Sequence, residues 1–305
     1  LSLSSSWVRD MFSVVTITEM DAVTNLTLNI EGCDIDGVQT AVTATKVGFT
    51  SINLAMNSFN MNLYFDEEPS HMLSLSSFND NEDSAQGDKY LVKARDNIIK
   101  FQHIDGKAFH VDRVASVQII NTRIETEDDI DRKLAICEAV AASNIRTLEL
   151  DRVQVYGFRV GVSVIDTPEV IIRKSSIQKC SIGIYSPKHQ ERVGSLITLE
   201  DSEFKSMYYG FLIANRKVNI KMTSVKFLDV PKPLLLNKAS VDSLLEEDCS
   251  YLLTQEFTSA KECRLLEEEM NLHLATQENI ALMAAYDRDE VQMVFRYDSL
   301  GYSNG

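Results

Sequence analysis

Glycine and proline are scarce in this chain, 12 and 5 among 305 residues, and no long low-complexity segment is present. No apolar run reaches the 18 or so residues that mark a membrane-crossing helix. Positive charge is short. Thirty Lys and Arg face 45 Asp and Glu, for a formal charge of −15 and a pI near 4.8. That balance argues against a general nucleic-acid surface, which needs a positive potential. The five cysteines, Cys33, Cys137, Cys180, Cys249 and Cys263, match no zinc spacing. Their odd number disfavours a disulfide framework, so they read as buried, reduced, space-filling thiols. With no visible signal segment, this leans to an intracellular setting over a secreted one. A chain opening on Leu1 rather than Met still leaves room for a removed upstream segment.

What the chain does have is a repeat, apolar–x–apolar–x4–apolar–x4–apolar–x–apolar. Leu148, Leu150, Val155, Val160 and Val162 fit it, and Val170, Ile172, Ile177, Ile182 and Ile184 fit it 22 residues later. Further starts fall at residues 26, 52, 73, 97, 117, 197 and 218, with Asn97 as a polar exception. The apolar–x–apolar pairs have the period of a strand buried on one face, and the four-residue gaps leave room for corners. A single coil cannot bury its own inward face, so coils must stack, about 4.8 Å apart. A leucine-rich repeat would require a fixed Asn or Cys after the strand, and no such column exists.

Segments such as Val170-Ile171-Ile172-Arg173-Lys174-Ser175-Ser176-Ile177 and Ile182-Gly183-Ile184 resemble coils of the right-handed parallel β-helix, or pectin-lyase-like, superfamily. The resemblance is one of architecture and covers about residues 22–237. It implies a fold shared by lyases, hydrolases, phage tailspikes and non-catalytic modules, so it does not give function. The expected organisation is all-β. A cap over residues 1–21 precedes a parallel β-helix of about nine coils over 22–239, and a helical C-terminal cap or interaction region spans 240–305. A second, short helix is expected within 125–144, where acidic residues precede an alanine-rich stretch. An acidic loop at 79–88 reads as solvated. In the C-terminal region Leu265, Leu266, Met270 and Leu274 have helical spacing around Glu267, Glu268 and Glu269.

Little of this carries chemistry. Sugar-cleaving members of the resembled fold bring acids in Asn-Thr-Asp and Gly-Asp-Asp strings with a Gly-His-Gly nearby, and none of these strings occurs. No nucleophile elbow, P-loop or dinucleotide fingerprint is present, and the five histidines lack metal-ligand spacing. His110 should point outward between Phe109 and Val111. One column stands out: the residue after the second template position reads Asp151, Arg173, Glu200, Lys221 in four successive coils. Its alternating charge suits a register-fixing ladder or a recognition strip. Tyr185 and Tyr208 are candidates to line a modest groove, and Glu267, Glu268 and Glu269 to face a partner.

The function this supports is a non-catalytic β-helix scaffold that binds another protein or assembles into a complex. No cofactor or metal is expected, carbohydrate is the second ligand class, and neither nucleic acid nor a membrane span is implied. Two alternatives stay open: an extracellular polysaccharide lyase or glycoside hydrolase with a divergent site, and a trimeric phage-type fibre or tailspike segment.

Overall fold

The computed structural model describes residues 1–18, 26–45, 49–61, 70–76, 91–102, 106–126, 137–187, 194–213, 218–237, 241–252 and 291–294. These residues form an all-β parallel solenoid. Each turn contributes up to three strands, which stack into three columns. The first column is a ten-stranded sheet, from Ser2–Ser4 through Leu26–Glu31, Phe49–Ala55, Leu91–Arg95, Ser116–Ile120, Thr147–Asp151, Glu169–Arg173, Ser195–Glu200 and Val218–Thr223 to Val241–Glu247. Seven consecutive turns carry three separate strands, the first being Phe49–Ala55, Ser58–Met61 and Ser70–Ser76. In the two turns before them the second and third strands run together, as Trp7–Thr18 and Asp34–Thr45.

The inward rows of the first column follow the period of two. Leu28, Ile52, Val92, Val117, Leu148, Val170, Ile197 and Ile220 lie in one register. All are buried in one continuous core with Ile35, Phe59, Ile99, Ile124, Val155, Ile177, Phe204 and Phe227 of the second column. Phe204, Phe227 and Tyr251 stack with ring centroids 5.3 and 5.0 Å apart. Ile172, Ile177, Leu199 and Phe204, all expected inside, are buried in the core, and Ile182, expected with them, is buried on the outer side of the third column instead.

The corner between the first and second strands has one construction in every turn. Ser5, Gly32, Met56, Asp96, Asn121, Arg152, Lys174, Asp201, Ser224 and Asp248 each adopt positive φ, between 46° and 63°. For a side-chain-bearing residue this costs roughly 1–2 kcal/mol, and the stack returns it as backbone hydrogen bonds. Met56 N–H donates to Arg95 O at 2.9 Å, and Lys174 N–H to Glu200 O at 2.9 Å. The next residue then points inward. Asn57 and Asn97 are buried there and linked: Asn57 N–H donates to Asn97 Oδ1 at 3.0 Å, and Asn97 Nδ2 donates to Leu54 O at 3.0 Å. Ser175 and Ser202 do the same farther along, with Ser175 N–H donating to Ser202 Oγ at 3.2 Å.

Several expectations need correction. The count of about nine coils is slightly off. Leu73 belongs to a third strand, and the coil placed at Asn97 starts at Val92 and Ala94, Asn97 being the corner residue. The helix expected within 125–144 is not there among the described residues. Arg123–Thr126 and Cys137–Ser143 are strands, and 127–136 lie outside the described residues. Cys137–Ser143 is held between Gly106–Asp112 and Val160–Ile165. That pairing on both edges overrides the weak helix preference of its alanines. Residues 1–18, expected to cover the end, are built as a turn in register with the next. The stack continues past residue 239, through Val241–Glu247 and Ser250–Leu252, and Val291–Val294 pairs antiparallel with Lys232–Asn237. The helical segment expected around Leu265–Leu274, and the acidic loop 79–88, lie outside the described residues. No helix long and apolar enough to cross a membrane is found among the described residues.

Candidate functional site

The charged column of the first sheet is partly as read. Asp151 sits opposite Arg173, and Arg173 opposite Glu200. Lys221 does not continue the row. It lies opposite Thr198, and Thr223 takes the place beside Glu200. Val218, Ile220 and Met222 alternate as three apolar residues, so the sequence permits two frames, and the fold uses Ile220 and Met222. The ion pairs also differ from a simple ladder. Arg173 bridges two glutamates, with Nε 3.0 Å from Glu200 Oε2 and Nη1 3.3 Å from Glu149 Oε1. Asp151 pairs instead with Arg152 at 3.1 Å.

Tyr185 and Tyr208 do not line a groove. They are only 6% and 3% exposed. The third column is buried on both faces, from Val160–Ile165 through Ile182–Ser186 to Tyr209–Ile213. Tyr208 packs edge-on to Tyr209 at 4.6 Å, with the Lys232 ammonium 4.6 Å from its ring. Glu267, Glu268 and Glu269 lie outside the described residues.

A groove of about 830 Å³ does exist, on the outer face of the second column. One row of outward residues runs Asn60, Lys100, Glu125, Tyr156, Gln178 in strict register. A parallel row supplies Arg123, Gln154 and Ser176. Each outward residue follows an inward one (Ile99, Ile124, Val155, Ile177), so the strands themselves aim the site. Glu125 is clamped, 2.6 Å from Arg123 Nη2 and 3.3 Å from Lys100 Nζ. Gln178 Nε2 donates to Ser176 Oγ at 2.7 Å, and the Lys179 ammonium lies 5.0 Å from the Tyr156 ring. The result is a strip of donors and acceptors at rung spacing with one aromatic plate, suited to an extended polar chain. The sequence signal for this groove is the residue after the inward residue of each second strand, Lys100, Glu125, Tyr156 and Gln178, a different column from the charged row of the first sheet.

His110 faces outward on the third column, its ring 5.6 Å from that of His71. Burial, together with the neighbouring His110 and Lys107, holds the His71 imidazole down at about 4. Burial and Lys107 also lower His110, with Glu138 and Asp112 opposing. Among the described residues no group of three or more His, Cys, Asp or Glu side chains is gathered as a metal set. Comparison with protein-family models, with curated proteins and with solved structures gives no match.

Proposed function

We propose that this protein is a non-catalytic β-solenoid scaffold that binds another protein through the groove of its second column. The observation that carries this reading is the groove itself, five turns long and built from the rigid rungs. A parallel solenoid sets side chains at a fixed spacing of about 4.8 Å, and an extended segment of a partner meets that spacing without reordering the site. The finer kinship proposed is with the right-handed parallel β-helix, pectin-lyase-like architecture. Three parallel columns joined by short corners support it, as does the strong preference of parallel crossover connections for the right hand. In the same reading the acidic run Glu267–Glu269 adds charge that tunes association rate and partner choice.

A second reading, a carbohydrate ligand or substrate, is favoured by the amide-lined floor and the Tyr156 ring. Glycoside hydrolysis by a carboxylate pair requires the two groups about 5–9.5 Å apart. Glu125 and Glu203 on this face stand three rungs apart, roughly 14 Å at the usual strand spacing. That spacing does not suit a paired-carboxylate hydrolase at Glu125 and Glu203, so this reading takes the form of sugar binding or of a lyase.

The test is affinity capture with the full chain beside the Tyr156→Ala and Gln178→Ala variants, paired with a sugar array. Both substitutions are on the outer face and should leave the melting temperature within about 2 °C. A protein ligand retained by the parent and lost by both variants supports the scaffold reading. Selective glycan binding lost in the same variants moves the carbohydrate reading to first place.

A further inference from the structure

The outer face of the second column carries its charge at two ends. At one end Lys100 and Arg123 surround Glu125, at 3.3 and 2.6 Å. At the other, Glu203 lies opposite Lys226 and shares a strand and a face with Lys205. Glu203 also accepts from Gln178 Nε2 at 3.4 Å. Two cations against one carboxylate leave each end positive. Between the ends the two outward rows hold Gln154, Tyr156, Ser176 and Gln178, all uncharged.

That sign runs against the rest of the molecule. The whole chain carries −15, and in the first column Arg173 stands among Glu149, Asp151 and Glu200. The positive-φ corner residues that flank these turns are balanced among the described residues, with Asp96, Arg152, Lys174 and Asp201 on one side and Lys179 and Asp229 on the other. The Debye length is about 8 Å at physiological salt, so a ligand in the groove responds to the charges beside it. It meets a positive, neutral, positive strip. The two ends are four rungs apart. Lys100 and Lys205 share one row, through Glu125, Tyr156 and Gln178. Arg123 and Lys226 share the other, through Gln154, Ser176 and Glu203. Four rungs span about 19 Å. An extended peptide advances about 3.3 Å per residue with alternate side chains on one face, so residues about six apart cover the same distance.

We propose that the groove selects an extended acidic peptide segment whose carboxylates stand about six residues apart, with uncharged residues between them. This rests on the protein-binding reading of the groove and names the chemistry of its partner. One carboxylate meets Lys100 and Arg123, and the other meets Lys205 and Lys226. The neutral middle lies over Tyr156 and the amides of Gln154 and Gln178. Exposed ion pairs are individually weak, so the charges choose the partner more than they anchor it. A polyuronate is the anionic alternative. It bears a carboxylate on every sugar and would set several of them against Glu125, Glu203 and the uncharged middle, which favours the peptide.

Fluorescence anisotropy with the full chain and a labelled seven-residue peptide tests this. The peptide carries Glu at both ends and Ser and Thr between, and its counterparts carry Gln or Lys at the ends. The Glu peptide should bind at least about tenfold tighter than the Gln peptide, equivalent to about 1.4 kcal/mol, and the Lys peptide should bind weakest. Raising the salt should narrow the difference. Lys100→Glu and Lys205→Glu each reverse one end and should each remove most of the preference. Lys221→Glu, on the outer face of the first column, should leave it unchanged. All three side chains face outward, so the melting temperature should stay within about 2 °C of the parent. Equal affinity for the Glu and Gln peptides, or no binding of either, overturns the proposal. So does a preference that survives both groove variants or is lost in Lys221→Glu. Tighter binding of an oligogalacturonate of matching length overturns it in favour of an anionic sugar. A captured protein ligand that depends on Tyr156 and Gln178 but not on Lys100 or Lys205 overturns the acidic specificity alone and leaves the groove reading standing.

Discussion

The second and third columns of this solenoid share one core but differ in what lies on their outer faces. Outward residues of the second column, such as Lys100, Glu125, Tyr156 and Gln178, meet solvent and form a groove. Outward residues of the third, such as Val160, Ile182, Tyr185, Leu212 and Leu235, are buried without joining the central core. Alternation of apolar and polar residues reports one-sided burial. Where both faces are covered it vanishes, and a sequence reading loses the ability to tell an inner residue from an outer one. Tyr185 and Tyr208 lie off the template positions, which suggests an exposed face, yet both are buried.

The largest expected effect tests this contrast directly. Phe211 and Leu212 are neighbours on opposite faces of the third column, and both are buried. Phe211→Ala should cost about 3–5 kcal/mol and Leu212→Ala about 2–5 kcal/mol, measured by denaturant unfolding. In the second column the matching pair is Phe204 and Lys205. There Phe204→Ala should cost about 3–5 kcal/mol, whereas Lys205→Ala should stay within about 0.5 kcal/mol. A small loss for Leu212→Ala would mean that the outer layer of the third column contributes nothing, and the contrast would fail.

A second effect tests how closely the rungs of the third column approach one another. Gly161, Gly183 and Gly210 stack in successive turns. A Cβ on Gly183 would lie 2.6 Å from Gly210 O and 2.7 Å from Phe204 Cδ1. Backbone cannot yield cheaply there, so Gly183→Ala should cost about 1–3 kcal/mol by overpacking. A thermal melt within 1 °C of the parent would show that the rungs can spread.

These residues also show what the sequence made legible. Leu148, Leu150, Val170 and Ile172 fixed the rung length because each is large, buried and two apart. Val92 and Ala94 mark their rung weakly because Ala94 is small, while Ile99, Ile104, Phe109 and Val111 fit the template in a frame that puts Asn97 at its first position. The corners left no consensus to find. Their positive-φ residue is glycine in one turn and Met56, Arg152 or Lys174 in others, since hydrogen bonds to the next rung, rather than residue type, hold the conformation. The alanines of Cys137–Ser143 read as helix because local preference was all that the sequence offered. Their pairing on both edges depends on strands 31 residues before and about 22 after.

Acid separates the columns in a third way. His71 lies on the third column, with its imidazole at about 4 against about 6.5 in an unfolded chain. The unfolded chain therefore takes up the proton first. This contribution is complete above about pH 6.5, shrinks as the pH falls, and is lost by about pH 4, a swing of about 3 kcal/mol at most. His71→Gln should flatten that part of the stability profile between pH 7 and 4, leaving the smaller share of His110. Unchanged slopes in parent and variant would show that the imidazole is solvated.

The smallest effect belongs to the first column, whose outer face mixes charged side chains such as Glu149, Arg173 and Glu200 with polar and apolar ones. Arg173 lies within 3.0 Å of Glu200 and 3.3 Å of Glu149, but its side chain keeps 40% exposure. Water and salt compete for such a guanidinium, so each pair should contribute only about 0–1 kcal/mol. A double-mutant cycle between Arg173→Ala and Glu200→Ala should give a coupling in that range, falling as salt rises past the Debye screening regime. The cycle with Lys221→Ala should give none, because Lys221 lies two rungs beyond Arg173 and out of its row. A Lys221 coupling as large as that of Glu200 would restore the simple four-residue ladder and break the register on which the last turns are built. A Glu200 coupling without salt dependence would mean that this face is shielded like the third column, and the ranking of the three faces would have to be redrawn.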